Sequence, residues 1–208
     1  MKLVLLGANG RTGGLVLQAA LAKDMDVTAV VRSAVKAPRL QHVRLHVVVG
    51  DPCDTVFLAS VFRDQDAVIS TLGGRLPTKA ATSVYDRSTK AIVDATSATG
   101  LKRVLVTSTA LLFQDQTLLG KLLRIVVPNV VRSAGLMEDI LKRSDLDWTS
   151  ARVGFLNDAR VAKYRAQRDA LPENGTAVSR LAFAQFLIDA ISDPETHWTT
   201  YGVSQANA

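Results

Sequence analysis

Three glycines, Gly7, Gly10 and Gly13, stand three apart between a short apolar run, Leu3 to Leu6, and apolar residues at helical spacing, Leu15, Val16, Ala19 and Ala20. A strand turning sharply into a helix is a natural anion site, because the first N–H groups of a helix lack partners and carry the positive end of its dipole. Gly7 would permit the turn, Gly10 would let backbone N–H groups approach phosphates, and Gly13 would let helix and strand pack closely. The chemistry this suits is the holding of a dinucleotide pyrophosphate. The spacing is G-x-x-G-x-x-G, which would also suit a β–α turn that holds nothing.

Other residues extend this reading. The run Val27 to Val31 ends in Arg32-Ser33, with Lys36 nearby. An NAD site usually has a carboxylate there, on the ribose 2′-hydroxyl, which would repel a 2′-phosphate. A guanidinium instead forms charge-assisted hydrogen bonds with that phosphate. Arg11, in the glycine turn, would add a second positive charge on the same side, so NADP(H) is preferred over NAD(H). Asp51 follows a third apolar run and would reach an adenine amino group, or equally cap a helix or close a turn. Thr107-Ser108-Thr109 ends a later run, as hydroxyls at a ligand edge or as plain strand-end caps. The tyrosines are Tyr85, Tyr164 and Tyr201, and none has a lysine four positions on. Lys90 follows Tyr85 by one residue too many to share its helix face. The proton-relaying Tyr-x-x-x-Lys pair of carbonyl reduction is therefore missing.

The elements that must position these residues alternate regularly. Strands are expected at Leu3 to Leu6, Val27 to Arg32, Val43 to Val49, Asp66 to Leu72, Arg103 to Thr109, Asp147 to Gly154 and, as a last edge strand, Trp198 to Val203. Helices are expected between them, including one over about Ser83 to Thr99 and a region reaching Lys142 that Pro128 must interrupt. A loop is expected from Arg75 to Thr82, an apolar irregular stretch from Leu111 to Leu119, and a polar excursion from Asn157 to Gly175. Right-handed crossovers then give an α/β fold: a single-domain, Rossmann-like, doubly wound parallel sheet with helices on both faces. One domain spans residues 1–208, with a small substrate-side elaboration around 155–208. The first strand should be central, with the ligand crevice beside it.

Composition sets limits. The chain has 208 residues, 48% hydrophobic and 21% charged, which suits one globular core. Cys53 is the only cysteine, so no internal disulfide forms and a reducing compartment, the cytoplasm, is expected. It reads as a small residue at a helix start, not a nucleophile. No signal peptide is evident, and no apolar run approaches the ~20 residues of a membrane span. His42 and His46, placed on one strand, would stand roughly 13 Å apart, too far to share an ion, and no metal site is expected. The net charge of +6 favours anionic partners. The basic group Arg160, Lys163, Arg165 and Arg168 holds one aromatic, Tyr164, so a solvated face or a site for a phosphorylated small molecule is expected there and nucleic acid is not.

The stretches Leu5 to Gly13, Val30 to Ser33, Val47 to Asp51, Gln65 to Ile69, Val104 to Asp115 and Ser144 to Trp148 resemble the NmrA-like, atypical short-chain dehydrogenase/reductases, and within them the flavin reductase (biliverdin-IXβ reductase) branch. The resemblance implies that Gly7, Asn9, Gly10, Arg11 and Thr12 hold the pyrophosphate, Arg32 and Ser33 the 2′-phosphate, and Asp51 the adenine. It places Leu72 and Gly73 along the nicotinamide ribose. Ser108 and Thr109 would border the nicotinamide as the catalytic pair, Thr109 where the family often has its serine. Val153 stands where the family commonly has a proline, and Phe155 where the flavin-reductase branch has a histidine.

Without the tyrosine, the chemistry narrows to a small-molecule conjugated acceptor, of flavin, quinone or tetrapyrrole type, which spreads the charge of an added hydride over its own system. The protein then mainly holds two planes together. Leu111, Leu112, Phe113 and Phe155 would form an apolar wall for the acceptor, or plain core. The alternative is a non-catalytic NADP(H)-binding redox sensor with a regulatory protein partner, for which the Arg160 to Arg168 segment would be the contact surface.

Overall fold

The computed structural model describes residues 1–74, 76–114 and 118–206, the side chain of Leu119 apart. Arg75 and residues 115–117 of the expected loops lie outside the described residues. In chain order the elements are β1 (Lys2–Leu6), α1 (Arg11–Ala22), β2 (Asp26–Val31), β3 (Leu45–Val49), α2 (Thr55–Val61), β4 (Ala67–Ser70), α3 (Lys79–Thr82), α4 (Val84–Thr99), β5 (Arg103–Thr109), α5 (Leu118–Val126), α6 (Pro128–Lys142), β6 (Asp147–Val153), β7 (Phe155–Asn157), β8 (Tyr164–Arg168), β9 (Ala177–Ser179), α7 (Arg180–Ile191) and β10 (Thr199–Gln205).

The main sheet has eight strands in the order β3-β2-β1-β4-β5-β6-β10-β8. All pairs are parallel except β10 with β8. β7 and β9 form a separate parallel pair. This is a Rossmann-like α/β single domain whose strand order reverses between β1 and β4. Alternating side chains of each strand feed two cores. Leu3, Leu5, Ile69, Leu105 and Ala151 pack with α1 and α7. Val4, Leu6, Val68, Val104 and Val106 pack with α2, α4 and α6. Parallel strands buried on both faces read as continuous apolar runs, which is why their places were legible.

Local chemistry fixes the ends. Asp54 Oδ1 accepts the N–H groups of Val56 (2.9 Å) and Phe57 (3.1 Å) and starts α2. Pro128 sits in the first turn of α6, where its missing N–H has no helical use. Among the described residues no helix is long and apolar enough to cross a membrane, and no group of three or more metal-ligating side chains gathers.

The loop expected from Arg75 to Thr82 ends in the short helix α3, and two further expectations are corrected. β10 is not an edge strand; it lies between β6 and the antiparallel β8, which takes the edge. β8 has no apolar alternation in the sequence, since Tyr164 is the residue of Tyr164–Arg168 that packs on the core. Its arginines suit a strand whose outer side must discourage further pairing. His42 lies outside β3, in a turn where its Nδ1 accepts the Arg44 N–H at 3.2 Å.

Candidate functional site

The glycine turn leaves β1 at the point where the strand order reverses. Gly7 takes φ 90°, a left-handed conformation that side chains rarely adopt. A Cβ at Gly13 would stand 2.1 Å from Gly7 O and 2.7 Å from Thr71 Oγ1, so α1 presses directly on the strand's exit. Thr71 Oγ1 also donates to Leu6 O at 3.0 Å, tying the end of β4 to the turn. At its N-terminus α1 has no side-chain cap and no acidic residue in its first turn. The helix start is thus left for an external anion, which is the fit a pyrophosphate requires.

Three hollows follow the carboxyl edge of the sheet. One, of about 300 Å³, lies against Asn9 and Gly10 and is flanked by Lys36 and Arg39. The second, of about 320 Å³, brings Arg32, Asp51, Leu72, Gly73 and Arg87 together. The third, of about 160 Å³, joins Thr12, Leu72, Gly73, Tyr85, Ser108 and Val153. Leu72 and Gly73 line both of the last two, so the backbone after β4 forms the ridge between them. Asp51 Oδ1 accepts the Cys53 N–H at 2.9 Å and so closes a turn while lining the Arg32 hollow. Burial, then the Asp51 carboxylate, push the Cys53 thiol up, away from nucleophilic use.

A charged cluster underlies the third hollow. Glu138 of α6 is 2% exposed. Its Oε1 accepts from Ser108 Oγ (2.8 Å), Ser150 Oγ (2.8 Å) and Arg152 Nε (2.9 Å), and its Oε2 from Arg152 Nη2. Burial alone would raise its pKa, but the bonds and charge of Arg152, with the two serine hydroxyls, outweigh burial and hold it below the ordinary carboxylate value. Tyr85 lines the same hollow, and a Cβ at Gly73 would lie 3.1 Å from its hydroxyl. Burial raises the Tyr85 pKa, so the phenol stays protonated and can donate.

Residues 7–194 match a family described as NAD(P)H-binding. The chain belongs to this NAD(P)H-binding family. Solved structures share the fold over almost their whole lengths. The oxidoreductase ylbE of Lactococcus lactis is 16% identical, with TM-score 0.85, covering 100% of this chain and 92% of that one. A short-chain dehydrogenase/reductase of Veillonella parvula, in complex with NADP, is 22% identical, with TM-score 0.83 and coverage of 99% and 95%. ChuY, an anaerobillin reductase of Escherichia coli, is 25% identical, with TM-score 0.80 and coverage of 100% and 98%. The likeness to atypical short-chain dehydrogenase/reductases read from the sequence agrees with this membership.

Within this NAD(P)H-binding fold, the sequence-expected residues fall unevenly. Asn9, Gly10, Thr12, Arg32, Asp51, Leu72, Gly73, Ser108 and Val153 line the hollows. Arg11 does not join Arg32: its guanidinium pairs with Asp158, which also takes Arg180 Nη1 at 2.7 Å. Ser33 begins the 3-10 turn Ala34–Lys36 and lines none of the three hollows. Thr109 is turned to local work, its hydroxyl accepting the Leu111 N–H at 3.2 Å, and Thr107 lines the third hollow in its place. The expected apolar wall does not assemble: Phe113 lies under the Arg152 guanidinium, Phe155 is exposed, and Leu156 and Phe183 line the third hollow. Tyr85, Arg87, Arg39 and Glu138 were not anticipated there. Tyr85 and Arg87 follow the Gly73-Gly74 pair closely in sequence, a signal that could have drawn attention to them.

Proposed function

We propose that this chain is an NADPH-dependent reductase passing hydride to a flat conjugated acceptor of flavin, quinone or tetrapyrrole type. The observation that carries the reading is the line of hollows from Asn9-Gly10, past Arg32 and Asp51, across Leu72-Gly73, to Ser108 and Val153. The dinucleotide, when bound, supplies the hydride. The first N–H groups of α1 hold the pyrophosphate, Arg32 with Arg87 holds the 2′-phosphate, and Asp51 Oδ2 meets the adenine amino group. Val153 and the backbone at Gly73 position the nicotinamide end. Segment 155–208, through Leu156 and Phe183, forms the acceptor side. Tyr85 donates a hydrogen bond to the acceptor, and no Tyr-x-x-x-Lys pair is needed, since water can protonate a delocalised anion afterwards. NADPH is favoured over NADH because no carboxylate ends β2 and two guanidiniums line that hollow. The anaerobillin reductase at 25% identity supports a reductase, and the NADP complex of the Veillonella neighbour supports the coenzyme. A reducing compartment, the cytoplasm, suits the single cysteine.

Calorimetric titration should give NADPH an affinity at least roughly tenfold above NADH, equivalent to about 1.4 kcal/mol. Steady-state assays with FMN, dichlorophenolindophenol and biliverdin should show NADPH oxidation above background with at least one. Failure of both dinucleotides to bind rejects the whole reading. A second reading, a non-catalytic NADP(H) sensor acting on a protein partner through the 160–168 face, is favoured by the Ser108 hydroxyl, whose proton goes to Glu138 and not into the hollow. Unequal affinities for NADP⁺ and NADPH with no turnover support the sensor; equal affinities with turnover reject it.

A further inference from the structure

A fourth hollow, of about 840 Å³, lies away from the glycine turn, on the sheet face that α6 covers. Past β6 that face carries the 170–171 segment, close enough that a Cβ at Gly202 would meet Ala170 O at 2.1 Å. The hollow lies between this segment and α6. Trp148 and Arg152, both at least nine-tenths buried, lie on its β6 side. Phe113, whose ring lies against the Arg152 guanidinium, and Lys142 also line it. Trp198, 62% exposed, also lines it, held at φ 52°, a conformation a bulky residue rarely keeps. Both tryptophans of the chain therefore line this hollow.

Two cations meet at its edge. Arg152 gives Nε and Nη2 to Glu138, and its Nη1 makes no hydrogen bond among the described residues. Lys142 Nζ stands 3.9 Å from the same carboxylate. Two cations thus share one buried anion. Asp169, the acidic residue of the lining, lies 3.7 Å from Arg168. Lys142 Nζ and the free Nη1 edge of Arg152 thus converge as cationic donors beside an indole-lined hollow. We propose that this hollow is a second small-molecule site, for a planar aromatic carboxylate whose ring packs on Trp148 and Trp198 and whose carboxylate meets Lys142 Nζ and Arg152 Nη1. Its aromatic walls and few convergent polar groups are the make-up of a ligand pocket. The site is independent of the dinucleotide crevice, although Glu138 touches both through Ser108 and Arg152.

The test is calorimetric titration of the full chain with 2-naphthoate and with neutral 2-naphthamide, with tryptophan emission, corrected for absorbance, read alongside. Naphthoate should bind saturably and perturb the emission, and naphthamide should bind roughly tenfold more weakly, having lost the charge-assisted bonds. Lys142→Gln and Trp198→Ala, both at exposed positions, should each weaken naphthoate roughly fivefold without lowering the melting temperature. Excess NADPH should not displace it. No saturable binding, equal affinities for acid and amide, insensitivity to both substitutions, or displacement by NADPH each overturns the proposal. A chain that failed to bind NADPH would still give the naphthoate result, so the two readings fail separately.

Discussion

Arg32 follows β2 at the position where a carboxylate would exclude a 2′-phosphate, and it is exposed, so its removal disturbs little else. A charge-assisted hydrogen bond contributes about 1.5–3 kcal/mol. Arg32→Ala should therefore weaken NADPH roughly 10- to 150-fold in calorimetry, leave NADH unchanged and leave the melting temperature in place. Tyr85 faces the Ser108 hollow with its proton retained. Tyr85→Phe should lower kcat/KM for the acceptor about fivefold, the size of one neutral hydrogen bond, with dinucleotide affinity unaltered. A far larger loss would mean that the phenol supplies the proton itself. Glu138 is the residue whose loss should be felt in stability. Glu138→Ala leaves Arg152 buried without its counter-ion, which costs about 3–5 kcal/mol and should lower the melting temperature by roughly 10 °C in calorimetry. The pH dependence has a definite sign. Because the folded pKa lies below the ordinary 4.5, Glu138 stabilises the fold fully above that value. The contribution fades as pH falls through the depressed folded pKa. The variant's stability should accordingly fall less between neutral and acid pH than the parent's.

The strand–turn–helix unit β1–α1 opens the proposed coenzyme site, and its two neighbouring glycines separate the demands on it. Gly13→Ala drives a methyl to 2.1 Å from Gly7 O, whereas at Gly14 the nearest atom is Ala8 O at 3.7 Å, an ordinary contact. Gly13→Ala should destabilise by about 1–3 kcal/mol and abolish measurable dinucleotide binding. Gly14→Ala should be neutral or stabilise by up to about 1 kcal/mol, since alanine favours a helix, and urea melts of the two variants decide it. This unit was fully legible in the sequence because its signals are local: an apolar run, three glycines, a helical period. β5 was expected over Arg103 to Thr109 and is found there. β8 was not legible, since an edge strand with charged side chains shows no period against a core. Within the site, the hollows draw on strand ends, which a parallel sheet must gather at one edge. Choosing between Thr107 and Thr109 depended on how the chain turns after β5, and no composition reveals that. Glu138 read as one more acidic residue on a helix. That it faces inward follows from the seating of α6 over Ser108, Ser150 and Arg152, a tertiary fact. Tyr85 and Arg87 reach the crevice for the same reason, through the path of the chain between Gly73 and α4.

Taken as one body, the molecule is a sheet with a core on each face, and its two flanks are held by different means. On the β6–β10 flank a buried Arg103 binds β5 to its surroundings: Nη1 donates to Asp147 O (2.9 Å) and Thr149 Oγ1 (2.8 Å), and Nη2 to Ala190 O (2.6 Å) and Thr196 Oγ1 (2.7 Å). Burial lowers its pKa to about 10, which leaves it charged at neutral pH. The opposite flank ends in β3, whose Val47 and Val49 are exposed, and β2 and β3 carry Arg32 and Asp51 at their carboxyl ends. A dinucleotide lying along the hollows would touch the ends of β2, β3, β4 and β6 together. Its binding free energy would then add to the cohesion of the whole sheet, not of one loop. At a concentration about 100 times Kd that addition is about 2.7 kcal/mol. For a chain of this length NADPH should raise the melting temperature by roughly 5–10 °C, as a single transition displaced without broadening. NADH at the same concentration should raise it less, and in Arg32→Ala the shift given by NADPH should shrink while that given by NADH stays. A shift with NADPH confined to a minor early transition would mean that only the glycine turn is engaged and that the coenzyme does not span the sheet.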